Sequence, residues 1–100
     1  MTSRVYFELG CPGTFKVATQ FTPAEIARCG EMRPDAIYTD AETGEMIVVE
    51  ADSGNYRQHQ IKAKRAPWRA AGLIRQVWAQ PSHTRVAEVP PLPGISVMRF

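Results

Sequence analysis

The chain has little of what would place it in a specialised class of protein. It has two cysteines, no CxxC pair and no histidine beside either cysteine, which argues against a disulfide scaffold and a zinc site. No apolar run approaches the roughly 20 residues that span a bilayer, and the N-terminus lacks a signal-peptide pattern. We therefore expect a cytoplasmic protein that does not bind membranes, with Cys11 and Cys29 reduced and partly buried.

A strong charge of one sign is missing too. The formal net charge is +2, so binding to nucleic acid has to depend on local clusters of basic residues. There is no glycine-rich phosphate loop, and no serine, cysteine and histidine are spaced as a nucleophile and its base. With 44% hydrophobic and 22% charged residues, the composition is typical of one soluble domain over residues 1–100.

The N-terminal third predicts two strands and a short helix. Arg4–Leu9 and the alternating segment Thr14–Phe21 are separated by a turn at Gly10–Gly13, which predicts a hairpin. Thr22 opens a T-x-x-E capping box with proline at the first helical position, and Gly30 ends the helix that follows.

The middle of the chain predicts a second hairpin and a second helix. Ala36–Thr39 reads as a strand, Asp40–Gly44 as a polar turn, and Met46–Val49 as a strand covered on both faces. These two strands should pair antiparallel, with the second near the centre of a sheet. A helix from Asn55 to Arg65 follows, which Pro67 must end or kink.

The C-terminal third predicts short elements around two further strands. In order, they are a short turn at Trp68–Gly72, a strand at Leu73–Ala79, a turn at Pro81–His83, an extended segment at Arg85–Val89, a stiff connector at Pro90–Gly94 and an edge strand at Ile95–Phe100. The order β-β-α-β-β-α-β-β predicts the α/β (α+β) class, with a mixed β-sheet flanked by two helices.

Three carboxylates are predicted to meet at one end of this sheet. Glu50 and Asp52 project from the same face of a strand, about 7 Å apart, and the hairpin brings Asp35 beside them. At about 5 Å and an effective dielectric constant of about 20, each pair of like charges costs on the order of 3 kcal/mol. A Mg²⁺ or Mn²⁺ ion offsets this repulsion, as do Lys62, Lys64 or Arg57; alternatively, Asp52 caps the next helix and points away.

These residues resemble a nuclease motif. Pro34-Asp35, fourteen intervening residues and Glu50-Ala51-Asp52 resemble the PD-(D/E)xK superfamily. Within it, the run RPDAIY…VVEADSG…QIKAK is most similar to replication-relaxation-type proteins of plasmids and other mobile elements. The resemblance covers about two-thirds of the chain and implies the restriction-endonuclease-like fold.

The resemblance also implies a catalytic site. Asp35, Glu50 and the carbonyl of Ala51 would bind Mg²⁺ or Mn²⁺, which positions and activates a water molecule against a DNA phosphodiester. Asp52 replaces the lysine of the motif; an aspartate can accept a proton but supplies no positive charge. Lys62 or Lys64 from the following helix would then take the place of that lysine.

Basic residues are concentrated directly after the motif. Six fall within thirteen residues that contain no acidic residue: Arg57, His59, Lys62, Lys64, Arg65 and Arg69. They form either a phosphate-contacting face or an ordinary solvated helix face. Gln58 and Gln60 would contact DNA or metal-bound water, and Arg33 would contact phosphate or pair with Glu31.

Two functions follow from these patterns. One is a metal-dependent DNA endonuclease from a plasmid, phage or other mobile element, acting as a homodimer because one small domain presents one site. The other is a catalytically inactive nuclease-fold protein that binds DNA or a protein partner in replication, transfer or counter-defence. Retention of Asp35 and Glu50 favours the first, and Asp52 in the lysine position favours the second.

Overall fold

A computed structural model describes residues 5–7, 9–52, 56–82, 86–89 and 92–99. Its elements are β1 (Lys16–Val17), a 3₁₀ turn (Ala18–Gln20), α1 (Pro23–Arg28), β2 (Ala36–Thr39), β3 (Met46–Ala51), α2 (Gln58–Ala70), β4 (Gln76–Gln80) and β5 (Ile95–Arg99). Residues 5–7 are also helical. The predictions for Ser53, His83, Arg85 and Pro90 fall outside the described residues.

The five strands form one mixed sheet in the order β1-β2-β3-β4-β5. β1, β2 and β3 are antiparallel neighbours, whereas β3, β4 and β5 are parallel. Parallel neighbours need a crossover connection, and α2 provides it between β3 and β4. The predicted α+β class, the pairing of β2 with β3 and the central position of β3 are confirmed.

The predicted N-terminal hairpin is wrong. Residues 5–7 are helical, and only Lys16–Val17 of the second segment is a strand. That strand pairs with β2 instead, matching Lys16 to Ile37. Val5 is fully buried against the sheet, so this apolar residue packs a helical segment onto the sheet and does not belong to a strand. Strand propensity describes a fit to a half-buried surface, and tertiary packing overrides it here.

The capping signal at α1 is confirmed. The Thr22 hydroxyl accepts a hydrogen bond from the Glu25 amide at 3.2 Å, and the Glu25 carboxylate accepts one from the Thr22 amide at 2.8 Å. Pro23 occupies the first helical position. The helix ends at Arg28, and Gly30 has a φ of 73°, in the left-handed region that favours glycine.

The second helix begins and ends later than predicted. It starts at Gln58, where the Gln60 side chain accepts a hydrogen bond from the Arg57 amide at 2.8 Å, and continues through Pro67 to Ala70. Trp68 is fully buried and donates its indole N–H to the carbonyl of Met32 at 2.6 Å. This anchor holds the last turn in place although Pro67 lacks the amide that a helix interior uses. The separate turn predicted at Trp68–Gly72 is therefore wrong.

The sheet has a buried core on each face. The α2 side contains Phe21, Cys29, Ile37, Val48, Ile61, Trp68, Leu73, Trp78 and Val89, and the opposite side contains Val5, Ala36, Ile47, Val49, Val77 and Ala79. Alternate residues of β3 enter different cores, as the two-residue period of a strand requires. Cys29 is buried as predicted, whereas Cys11 is exposed; neither forms a disulfide.

The last two strands lie close together. β4 starts three residues later than predicted, and all five of its residues are buried. β5 forms the edge of the sheet, as predicted. Gly94, with a φ of 85°, precedes it; a Cβ atom there would lie 2.5 Å from the carbonyl oxygen of Ile74. Only glycine permits this approach, which brings β5 into register with β4.

Candidate active site

The hairpin of β2 and β3 brings Asp35 and Glu50 together. Its last matched pair is Ala36 with Val49, so the next step along the register sets Asp35 opposite Glu50. Directly opposed residues of antiparallel strands share a face and have Cβ atoms roughly 5 Å apart. The Asp35 carboxylate also accepts a hydrogen bond from the Ala51 amide at 2.8 Å. The two carboxylates thus lie together, as predicted.

Glu50 is a buried acid with two partners on one oxygen. Its exposed fraction is 1%. Oε1 accepts hydrogen bonds from Lys64 Nζ at 2.7 Å and from the Tyr56 hydroxyl at 2.8 Å. Lys64 Nζ also contacts the Tyr56 oxygen at 2.5 Å, which closes a triangle. The Tyr56 ring packs edge-on against Trp78, with centroids 6.2 Å apart, and this contact fixes the position of the hydroxyl.

Burial and charge act in opposite directions on these groups. Burial raises the pKa of Glu50, the hydrogen bond from Lys64 opposes that shift, and the charge of Asp35 adds to it. Burial lowers the pKa of Lys64, but hydrogen bonds with Glu50 and Tyr56 outweigh burial, so its pKa is raised overall. Burial also raises the pKa of Tyr56, which keeps its hydroxyl protonated. These contacts therefore keep Lys64 positively charged and the Tyr56 hydroxyl protonated beside Glu50.

The second oxygen of Glu50 identifies where a cation would fit. Oε2 is buried and has no hydrogen-bond partner among the described residues. A buried carboxylate oxygen without a partner is costly, and Asp35 adds a second negative charge nearby. Mg²⁺ is commonly held by one or two carboxylates and several water molecules. Asp35 and Glu50 supply oxygen ligands of that kind, so this end of the sheet fits such an ion.

The predicted trio of carboxylates is not formed. Over the described ranges, no group of three or more His, Cys, Asp or Glu side chains is arranged to hold a metal ion. Asp52 is fully buried, and its carboxylate accepts a hydrogen bond from the Gln80 side chain at 3.0 Å. The alternative prediction that Asp52 caps the next helix is also wrong, because Arg57 precedes the first residue of α2.

Lys64 and Lys62 have different environments although they are two residues apart on α2. Lys64 points inward, with 25% of its side chain exposed, and pairs with Glu50. Lys62 is exposed and makes no salt bridge to another described residue. Of the two lysines predicted to reach the carboxylates, only Lys64 does so. Because 1.5 Å of helix rise separates successive residues, two positions along α2 change both the height and the facing of the side chain.

The remaining predicted contact residues lie on or near the outer side of α2. Arg33, Arg57, Gln58, His59 and Gln60 are exposed, whereas Arg65 is half-buried. The Gln60 side chain is engaged at the start of the helix, and Gln58 reaches the carbonyl of Glu88 at 3.5 Å. Arg69 donates to the carbonyl of Pro93 at 3.1 Å, so it ties α2 to the residues before β5.

Two polar residues of the site were not assigned a role from the sequence. Gln80 donates its side-chain amide to Asp52 and, at 2.9 Å, to the carbonyl of Ala87. The Tyr56 hydroxyl contacts both Glu50 and Lys64. A signal for Gln80 was present: a fully buried strand that begins and ends with glutamine needs internal partners for both amides.

The search for related proteins returns no match to any protein family, curated protein or solved structure. Over the described ranges, no helix combines the length and the apolar character that crossing a lipid bilayer requires.

Proposed function

We propose that this protein is a metal-dependent DNA endonuclease of the PD-(D/E)xK type, with a restriction-endonuclease-like fold and an origin in a mobile element. The observation that supports the proposal best is the state of Glu50. It is buried beside Asp35, one oxygen is held by Lys64, and the other has no partner among the described residues. Most buried polar atoms have a hydrogen-bond partner, so the unpartnered oxygen of Glu50 supports a role in binding a ligand.

Each residue then has a role in phosphodiester hydrolysis. Asp35 and Glu50 would hold a Mg²⁺ or Mn²⁺ ion at the end of β3, and the ion would supply Lewis-acid chemistry and lower the pKa of a water molecule. Lys64 supplies the positive charge that Asp52 cannot, and it stabilises the negative charge that develops on the phosphoryl oxygens. Lys64 thus takes over the role of the motif lysine from a helix, not from the strand.

The exposed side of α2 supports DNA as the substrate. Arg57, His59 and Lys62 are exposed and make no salt bridge within the described part of the chain. Such residues contact phosphates without reading the base sequence. His59 and Lys62 lie on α2 and Arg57 directly before it, so DNA bound there would be held by the element that also carries Lys64.

Cleavage of supercoiled plasmid DNA in Mg²⁺ or Mn²⁺ tests the proposal. Asp35→Asn and Glu50→Gln should each lower the rate at least about 100-fold, because each removes a cation ligand. Lys64→Gln should lower it by about 10²–10³-fold. The matched control is Glu42→Gln, an exposed acid in the β2–β3 turn, which should not change the rate more than about threefold. Equal rates for wild type, Asp35→Asn and Glu50→Gln would contradict the proposal.

A second candidate is a nuclease-fold protein without catalysis, which binds DNA or a protein partner. The contacts of Asp52 favour it: the side chain in the lysine position is tied to Gln80 and carries no positive charge. This candidate predicts no cleavage in either metal and DNA binding that a chelator does not change. A molar mass from light scattering, with and without DNA, tests the homodimer that both candidates allow.

A further inference from the structure

The charge arrangement around Glu50 has a consequence for the order of binding. Asp35 and Glu50 carry two negative charges, and Lys64 carries one positive charge in hydrogen-bond contact with Glu50. Without a cation the cluster has an excess of one negative charge, which repels a phosphodiester. With a divalent cation the excess becomes one positive charge, which attracts it.

Lys64 is held so that it can change partners. Its ammonium group contacts the Tyr56 oxygen at 2.5 Å as well as Glu50 at 2.7 Å, and it lies 4.6 Å from the centre of the Tyr56 ring. An ammonium group has three donors, and the contacts to Tyr56 persist if the one to Glu50 is lost. One quarter of the Lys64 side chain is exposed, so a bound phosphate can reach it.

We propose that Lys64 is a resident counter-ion that transfers from Glu50 to a DNA phosphate when a divalent cation binds to Asp35 and Glu50. This inference rests on the proposed function and adds an order of binding to it. In the cation-free protein Lys64 is occupied by Glu50 and contributes little to DNA affinity. Once the cation neutralises the carboxylates, Tyr56 holds the ammonium group in place and the phosphate becomes its partner. Cation and DNA therefore strengthen each other's binding.

The test measures the affinity for a short DNA duplex by fluorescence anisotropy, with EDTA and with Ca²⁺, which replaces Mg²⁺ without supporting hydrolysis. Lys64→Gln removes one positive charge in both conditions, but it should weaken the affinity about tenfold more in Ca²⁺ than in EDTA, because only with the cation bound does the ammonium group form a charged hydrogen bond with the phosphate. Lys62→Gln is the matched control, because an exposed phosphate contact weakens binding by the same factor in both conditions. Equal effects of Lys64→Gln in both conditions would overturn the inference.

A second measurement is made on the wild-type protein and needs a variant only to assign one resonance. The ammonium resonance of Lys64, identified in ¹⁵N-labelled protein by its loss in Lys64→Arg, should be protected from solvent exchange in EDTA. It should shift when Ca²⁺ and DNA are both added. A resonance that stays unchanged would overturn the transfer.

Calorimetric titration of Mn²⁺ separates failure of this inference from failure of the proposed function. Binding to wild type that is lost in Asp35→Asn and Glu50→Gln supports the cation site. If that site is present but the effect of Lys64→Gln does not depend on the cation, only the transfer of Lys64 is wrong. If wild type binds no Mn²⁺, the proposed nuclease function is itself contradicted.

Discussion

Lys64→Met removes the ammonium group and leaves Glu50 as a buried charge whose one remaining donor among the described residues is the Tyr56 hydroxyl. We expect the free energy of unfolding to fall by about 2–4 kcal/mol, toward the lower end for a broken buried ion pair because Lys64 is partly exposed. The double variant Glu50→Gln/Lys64→Met should recover most of the loss, since no charge is left uncompensated. Urea unfolding measures both.

The control for this prediction is Lys62→Met, which should change the free energy of unfolding by no more than about 0.5 kcal/mol. Equal losses for Lys62→Met and Lys64→Met would show that the pair with Glu50 does not stabilise the fold.

Substitutions of Asp52 test how much its hydrogen bond with Gln80 stabilises the protein. Asp52→Ala removes the acceptor for the Gln80 amide and should destabilise the protein by about 1–3 kcal/mol. Asp52→Asn keeps an oxygen that can accept this bond, so its melting temperature should stay closer to that of wild type. Calorimetry should show that Asp52→Asn still binds Mn²⁺. If Asp52→Asn loses Mn²⁺ binding as completely as Glu50→Gln does, then Asp52 is itself a ligand of the cation.

At the scale of single elements, the β2–β3 turn has its own pH dependence. Hydrogen bonds from the Arg75 guanidinium and from the backbone amides of Glu42 and Thr43 lower the pKa of Asp40 from 3.8 to about 2. Because this pKa is lower in the folded protein than in the unfolded chain, the contribution to stability is present above about pH 4 and is lost as the pH falls toward about 2.

Asp40→Asn should therefore lower the melting temperature near neutral pH and make it less dependent on pH between about 4 and 2. Thermal melts across this range measure the effect. Glu42→Gln, whose side chain is exposed, is the control and should follow the wild-type curve. If Asp40→Asn shows the same dependence of melting temperature on pH as wild type, the ion pair of Asp40 with Arg75 does not cause that dependence.

Replacing Pro67 should stabilise α2. The residue lies inside the helix, where a proline lacks the amide that would bond to the carbonyl four residues earlier. Pro67→Ala should raise the free energy of unfolding by about 1–3 kcal/mol. Pro23→Ala, at the first position of α1, is the control: no helical bond is missing there, and the change should stay within about 0.5 kcal/mol. A loss of stability in Pro67→Ala would mean that the ring itself is packed.

For the whole molecule, the small net charge limits how strongly DNA is held. The formal charge is +2, and of the exposed lysines and arginines among the described residues only Lys62 lies on α2, with Arg57 directly before it. We expect a logarithmic salt dependence of the DNA affinity with a slope of about −3, corresponding to three or four phosphate contacts. Lys62→Gln should reduce the magnitude of the slope by about 1, in anisotropy titrations at several salt concentrations. An unchanged slope would remove Lys62 from the DNA-binding surface.

The parts of the fold that the sequence predicts correctly are set by neighbours along the chain. The capping box of Thr22 and Glu25, the glycine that closes the β2–β3 turn and the apolar run of β3 each have a local physical cause. The meeting of Asp35 and Glu50 follows from the same hairpin, because its register is fixed by the turn and by the pattern of buried residues.

The parts that it misses depend on contacts distant in sequence. Residues 5–7 have strand-like side chains, but Val5 is buried in the core against the sheet. The helix continues past Pro67 because Trp68 is anchored to Met32, 36 residues away. The choice between Lys62 and Lys64, by contrast, is set within α2: Lys64 lies three residues after Ile61 and four before Trp68, on the face that the helix buries.

The two halves of the sheet close loops of different length, and this difference sets an order of assembly. β2 and β3 are joined by six residues, whereas β3 and β4 pair only after the whole α2 crossover has been formed. Hairpins form in roughly 1–10 μs, and pairings between distant segments are slower because more chain entropy is lost before contacts form. During refolding the acidic strand ends should therefore meet before Lys64 arrives, so a divalent ion present at that stage should offset their repulsion and speed the pairing of β2 with β3.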